Sequence, residues 1–134
     1  MSTTNRYVEG IGRRKTASAR VRLTPAKKTT IVVNNKPITE YFKHKAHLDR
    51  VMEVLDTPEA GVETYTISVH VSGSGLSAQA DAIRLGVARA LVREKADRRA
   101  VLKKEGYLKR DPRAVERKKF GLRKARKRPA WSKR

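Results

Sequence analysis

The chain has 134 residues, with 33 Lys+Arg against 13 Asp+Glu, a formal charge of +20 and a pI near 11.0. So basic a balance calls for a polyanionic partner. A nucleic acid fits better than a membrane, because no apolar run is long enough to span a bilayer and no basic helix carries aromatics along one face. The absence of cysteine excludes disulfides and zinc-ribbon ligands, and the opening MSTTNRYVEG lacks the apolar stretch of a secretory signal, so a cytoplasmic location is expected.

Hydrophobic residues make up 38% and aromatics 5%, enough for one small aliphatic core of about a hundred residues. Arg6–Gly12 and Ala17–Leu23 read as strands. In the second, Ala17, Ala19, Val21 and Leu23 alternate with Ser18, Arg20 and Arg22, so Arg20 and Arg22 face outward to solvent or phosphate. Between the strands, Gly10 and Gly12 precede Arg13, Arg14 and Lys15. The glycines let another backbone come close, and the three cations form a compact anion site at a basic hairpin turn.

A turn over Thr24–Thr29 leads to a third strand, Thr30–Val33, stopped by Asn34-Asn35. Pro37–Phe42 opens a short helix, and Leu48, Val51, Met52 and Leu55 predict an amphipathic helix ending before Pro58. His44 and His47 share a helical spacing, but with no third ligand nearby no metal site is expected, and His70 sits alone on a strand's outer face. Glu63–Val71 is the clearest strand, with Tyr65, Ile67, Val69 and Val71 on one face.

Ser72-Gly-Ser-Gly-Leu-Ser77 then leads into the longest predicted helix. Its buried stripe is Leu76, Ala80, Ile83, Val87, Ala90 and Leu91, with Arg84, Arg89 and Arg93 elsewhere on its surface. A glycine-rich turn before a helix suits phosphate. This one matches neither nucleotide-binding glycine pattern, has no catalytic constellation beside it, and is followed by Asp81 in the expected first helical turn, where a carboxylate repels phosphate. No enzyme, cofactor or small-molecule substrate is expected. Asp97 caps a last helix, Arg98–Glu105, closed by Gly106.

From Lys109 the composition changes. The final 26 residues hold thirteen basic residues and two acidic ones, Asp111 and Glu116, a net +11, which leaves +9 for residues 1–108. Such a stretch repels itself and buries little, so alone in water it is expected to be disordered and to order on a polyanion. Its cations are Lys109, Arg110, Arg113, Arg117, Lys118, Lys119, Arg123, Lys124, Arg126, Lys127, Arg128, Lys133 and Arg134. Pro112 and Pro129 keep it extended, while Phe120 and Trp131 offer faces for stacking on bases or ribose. The expected organisation is a globular RNA-binding domain, 1–108, and an extended basic tail, 109–134.

GIGRRKTASARVRL, SAQADAIRLGVARAL, LKKEGYLKRDPRAVERKKFGLRKARKRP and the terminal SKR together resemble the small-ribosomal-subunit protein S-nine family, bacterial type, over nearly the whole chain. The resemblance implies an α+β fold like the second domain of ribosomal protein S-five, a mixed sheet with helices on one side, followed by a long extended basic tail. It implies a seat on the 3′ major domain of the ribosomal RNA in the small-subunit head, beside neighbouring head proteins. Arg13, Arg14 and Lys15, with Arg20, Arg22 and the tail cations, would then contact rRNA. Ser132, Lys133 and Arg134 would reach the peptidyl-site tRNA. Two departures stand out: Ser72-Gly73-Ser74-Gly75 and Ala78 where the family usually has more glycine, and Ala130-Trp131 where it usually has Gln and then Tyr or Phe. Two other readings use the same residues, a free RNA chaperone and a nucleotide-dependent enzyme built on the Gly-rich turn.

Overall fold

The computed structural model describes residues 6–57 and 64–131. Five strands form one mixed sheet: β1 (Val8–Arg14), β2 (Ala17–Pro25), β3 (Thr30–Val33), β4 (Lys36–Pro37) and β5 (Tyr65–Ser72), in the spatial order β1-β2-β5-β3-β4. All pairings are antiparallel except β3 with β5. Among the described residues, four helices accompany it: α1 (Ile38–Tyr41), α2 (Lys45–Leu55), α3 (Leu76–Glu94) and α4 (Arg98–Lys104). The expected mixed sheet with helices on one side is what the chain forms.

The alternation of β2 and β5 creates the two faces. Ala19, Val21 and Leu23 stand opposite Val71, Val69 and Ile67 and are buried, while Ser18, Arg20, Ser68, His70 and Ser72 are exposed. Helix α3 crosses the inner face and is covered on its other side by α2, so Ala82, Ile83, Leu85, Val87, Ala88 and Leu91 are all buried around it. This is more than the single stripe expected. Leu76, counted in that stripe, lies 45% exposed at the helix start, ahead of the turn that reaches the core.

The strand β1 runs on to Arg14, beyond the predicted Gly12, and the reversal takes only Lys15 and Thr16, with Lys15 at φ 52°. Gly10 and Gly12 therefore lie inside a strand. A Cβ on Gly12 would overlap the Ala82 carbonyl and the Gly86 amide, and one on Gly10 would overlap the Gly86 carbonyl. Gly86 answers from the helix, where a Cβ would stand 2.7 Å from Val21 Cγ2. The outer edge of β1 is also closed from the helix. Arg89 Nη1 donates to the Ile11 carbonyl at 2.8 Å, and Arg93 Nη1 to that of Glu9 at 3.3 Å.

Asn34 and Asn35 do more than stop β3. Both take positive φ, 49° and 66°, the signature of a two-residue type I′ hairpin, and they return the chain into the short β4 missed in the sequence. Asn34 also extends the ladder with its side chain, donating from Nδ2 to the Val71 carbonyl at 2.9 Å and accepting from the Val71 amide at 3.0 Å. Asp97 is itself helical (φ −60°, ψ −25°) and makes no side-chain cap, contrary to expectation. What seats α4 is Arg98, 3% exposed, which donates to the Tyr65 hydroxyl at 3.1 Å and the Leu91 carbonyl at 3.3 Å.

Gly12→Ala forces a methyl into backbone that has no room for it. We expect a loss of about 3 kcal/mol or more in urea unfolding. Ser68→Ala, on the exposed face of β5, should stay within about 0.5 kcal/mol of the unsubstituted chain. Equal midpoints for the two variants would refute the close strand–helix contact.

Candidate nucleic-acid interface

The strand period separates the three cations of the hairpin. Arg13 points to the outer face and is exposed, Lys15 stands at the tip, and Arg14 turns to the helix side, where its side chain is 13% exposed. The expected compact cluster does not form. On the outer face, Arg20 Nε pairs with Glu9 Oε1 at 3.1 Å while its side chain stays 58% exposed, and the Arg22 guanidinium lies 4.5 Å over the Tyr7 ring.

Arg14 instead enters a chain of alternating charge. Its Nε lies 3.5 Å from Asp81 Oδ2, and its Nη1 is ion-paired with Asp111 Oδ2. Both are charge contacts without hydrogen-bond alignment. Asp81 also accepts from Arg50 of α2 at 2.6 Å. Asp81 falls in the second turn of α3, not the first, and its role is to gather Arg14 and Arg50, which holds the Arg50 guanidinium above its ordinary value.

Asp111 is the first carboxylate of the tail, and it binds its own neighbour. It accepts from the Arg113 amide at 2.9 Å and from Arg113 Nη2 at 2.8 Å. Arg113 first, and Arg14 after it, hold the Asp111 carboxyl far below the usual carboxylate range. Arg110 Nη2 donates to the Lys15 carbonyl at 3.3 Å. The start of the tail is thus tied to the hairpin tip and to α3, and a groove of about 400 Å³ lies between Lys15, Thr16, Ser74 and the segment Arg110–Val115.

The turn after β5 has the predicted backbone freedom, with Gly73 at φ 87° and Ser74 at φ 53°. A Cβ on Gly73 would press on the Thr16 carbonyl. Its own carbonyl accepts from Gln79 Nε2 at 3.0 Å, and Gln79 in turn accepts from the Tyr41 hydroxyl at 2.5 Å. The freedom is spent on packing the turn against the hairpin. His47 packs edge to face against both His44 and Phe42, and among the described residues no group of three metal-ligating side chains forms.

Beyond Asp111 the tail contains no helix or strand among its described residues. Glu116 binds Lys119 and also Arg126, the latter at 2.8 Å, and these cations depress its pKa. The Arg123 amide donates to the Lys127 carbonyl at 2.8 Å, and Gly121, at φ 74°, lies just before this loop. Arg110, Arg113, Arg117, Lys118, Lys119, Arg123, Lys124, Arg126, Lys127 and Arg128 are all exposed. Phe120 is 99% and Trp131 84% exposed, apolar faces that nothing in the described chain covers. Ser132, Lys133 and Arg134 lie outside the described residues. The sequence reading missed Asp111 and Glu116 as organisers and Tyr7 as the partner of Arg22. The one available signal was that just two carboxylates stand in so basic a stretch.

Residues 12–134 match the family described as Ribosomal protein S9/S16. The chain is 52% identical over 130 residues to small ribosomal subunit protein uS9 of a Synechococcus species, covering 93% of this chain and 91% of that protein. It is 50% identical over 131 residues to uS9 of a Synechocystis species, covering 93% and 90%. It is 46% identical over 129 residues to uS9 of Mycobacterium tuberculosis, covering 96% and 84%.

The carboxylate of Asp111 has a folded pKa below its unfolded value of about 4. Its contribution to anchoring the tail is therefore complete above that value and lost as pH falls through the depressed one. NMR titration of the Asp111 and Arg113 amides should show a midpoint well below 4. Asp111→Asn should release the tail start at neutral pH, seen as faster proteolysis after Lys109 and Arg110. A midpoint near 4, or unchanged cleavage in the variant, would remove Asp111 from this role.

Proposed function

Because the chain belongs to the Ribosomal protein S9/S16 family and is a structural protein of the small ribosomal subunit, we propose that it binds ribosomal RNA of the subunit head and extends its tail to the peptidyl-site tRNA. It is not an enzyme. Its place is the ribosome, in the cytoplasm of bacteria, and no described helix is long and apolar enough to cross a membrane.

The observation that carries the reading is the state of the tail's charges. Both of its carboxylates are occupied by cations, Asp111 by Arg14 and Arg113, Glu116 by Lys119 and Arg126. The described tail cations stay exposed, with Phe120 and Trp131 bare beside them. Such a ribbon suits the phosphates and unstacked bases of folded RNA. Arg13 and Lys15 at the hairpin, and Arg20 and Arg22 on the open face of the sheet, are further cations for the same rRNA. Binding through phosphates and shape fits a structural role in the 3′ major domain, with neighbouring head proteins beside it. Ser132, Lys133 and Arg134 supply donors at the tip for the tRNA backbone.

Affinity for small-subunit rRNA should fall steeply with salt. About six neutralised phosphates give a log–log slope of roughly −4 to −5, and removing residues 109–134 should flatten it markedly. An unchanged slope would move the phosphate contacts to the globular part. Deleting Ser132–Arg134 should leave subunits formed in normal amount but weaken peptidyl-site tRNA by about 1–2 kcal/mol in filter binding. Equal affinity would remove the tip from tRNA binding, and missing subunits would give it to assembly instead.

A further inference from the structure

The helix-free face of the sheet carries an arrangement that the tail does not explain. Across the five strands Glu9 is the only carboxylate, and it is already paired with Arg20. Arg13, Arg20 and Arg22 stand on that face with His70, which is the register partner of Arg20. Ser18 and Ser72, also register partners, join Arg20, His70 and Asn34 around a polar cleft of about 250 Å³. Two residues along β2, the Arg22 guanidinium stands 4.5 Å from the centre of the Tyr7 ring, and Tyr7 remains 48% exposed.

We propose that this open sheet face is a second RNA-binding surface, separate from the tail, that takes a single-stranded segment with a phosphate in the Arg20–His70–Ser18–Ser72 cleft and a base against the Tyr7–Arg22 stack. The proposal rests on the reading of the chain as an rRNA-binding protein. Charge complementarity selects the occupant. An acidic protein would meet cations and hydroxyls with only Ile11 and Tyr7 as exposed apolar surface, whereas a nucleotide uses both the cations and the aromatic ring. The hydroxyls and the fork of Arg20 donors left free by Glu9 suit a phosphate, and an exposed ring backed by a guanidinium suits a base. Same-face residues on a strand repeat at about 7 Å, so the cleft and the stack lie within reach of one short segment of chain.

The chain has no cysteine, so a single Ser68→Cys, in the outer face of β5 opposite Arg22, can carry a tethered iron chelate in the full-length protein. On small-subunit rRNA it should cut a discrete single-stranded site, different from sites cut from a probe on the tail. Arg20→Gln/Arg22→Gln should lower affinity about tenfold and shrink the salt slope by about 0.7, the share of one phosphate on a single strand. Tyr7→Ala should lower it about fivefold or more with the slope unchanged, because stacking releases no counterions. Absent cleavage, or variants that bind like the unsubstituted chain while tail deletion still weakens binding, would overturn the sheet-face site and leave the rRNA reading intact. So would photo-crosslinking from Ser68→Cys in assembled subunits that captures a protein in place of RNA. An unsubstituted chain that shows no preference for small-subunit rRNA would overturn the reading beneath it.

Discussion

Strand β1 lies against helix α3 at a separation that only glycine allows. Gly10 and Gly12 press their backbone onto Ala82 and Gly86, and Gly86 in turn leaves room for Val21. Dispersion falls off steeply with distance, so contact this close between two backbones packs the layer far more tightly than side chains would. It also brings Arg89 and Arg93 within reach of the carbonyls on the free edge of β1, which closes that edge against pairing with another chain. With the described helices drawn to the inner face, the outer face stays open, and Arg13, Arg20 and Arg22 are displayed on it.

Position in the sheet also decides what each cation can do. Arg13 and Arg14 are adjacent in sequence, yet the pleat sends one outward and the other into the contact between α3 and the tail. The outward residue keeps its charge for a partner. The inward one is shared between Asp81 and Asp111 and fixes where the tail leaves the domain. A rigid exit matters for an extended ribbon, because a segment held at its root loses less freedom when it binds than one that is free at both ends.

Period-two and period-3.6 patterns were legible in the sequence because one solvent-facing side forces them. Tyr65, Ile67, Val69 and Val71 on β5, and Val51 on α2, are buried where the spacing placed them. What escaped the sequence depended on contacts between distant segments. The close backbone approach expected at Gly10 and Gly12 is present, but that the backbone they meet is Ala82 and Gly86 of α3 depends on the fold. Helix α3 is buried on more than one side, so a single stripe undercounts it, and Leu76 fits that stripe by spacing while lying beyond the edge of the core. Strand β4 is two residues long and contains Pro37, which argues against a strand unless the strand is at an edge. Asp97 had the composition of a cap without the backbone geometry. Asp81 and Asp111 are thirty positions apart in sequence and meet only through Arg14.

In a chain of +20, cations are too plentiful to specify anything alone, and the scarce carboxylates carry the positional information. Glu9 fixes Arg20 on the sheet, Glu53 fixes Arg84 between α2 and α3, Glu94 steadies the buried Arg98, Asp81 and Asp111 hold the tail root, and Glu116 closes the loop around Phe120. Exposed pairs of this kind add little to stability. Their value is geometric: each one removes a cation from free solution and gives its neighbours a defined direction. Removing a lysine from the tail therefore subtracts one cation among many, whereas removing Asp111 frees the root from which all the others extend. On the path proposed for the tail along RNA, the few acids set the direction and the many bases supply the contacts.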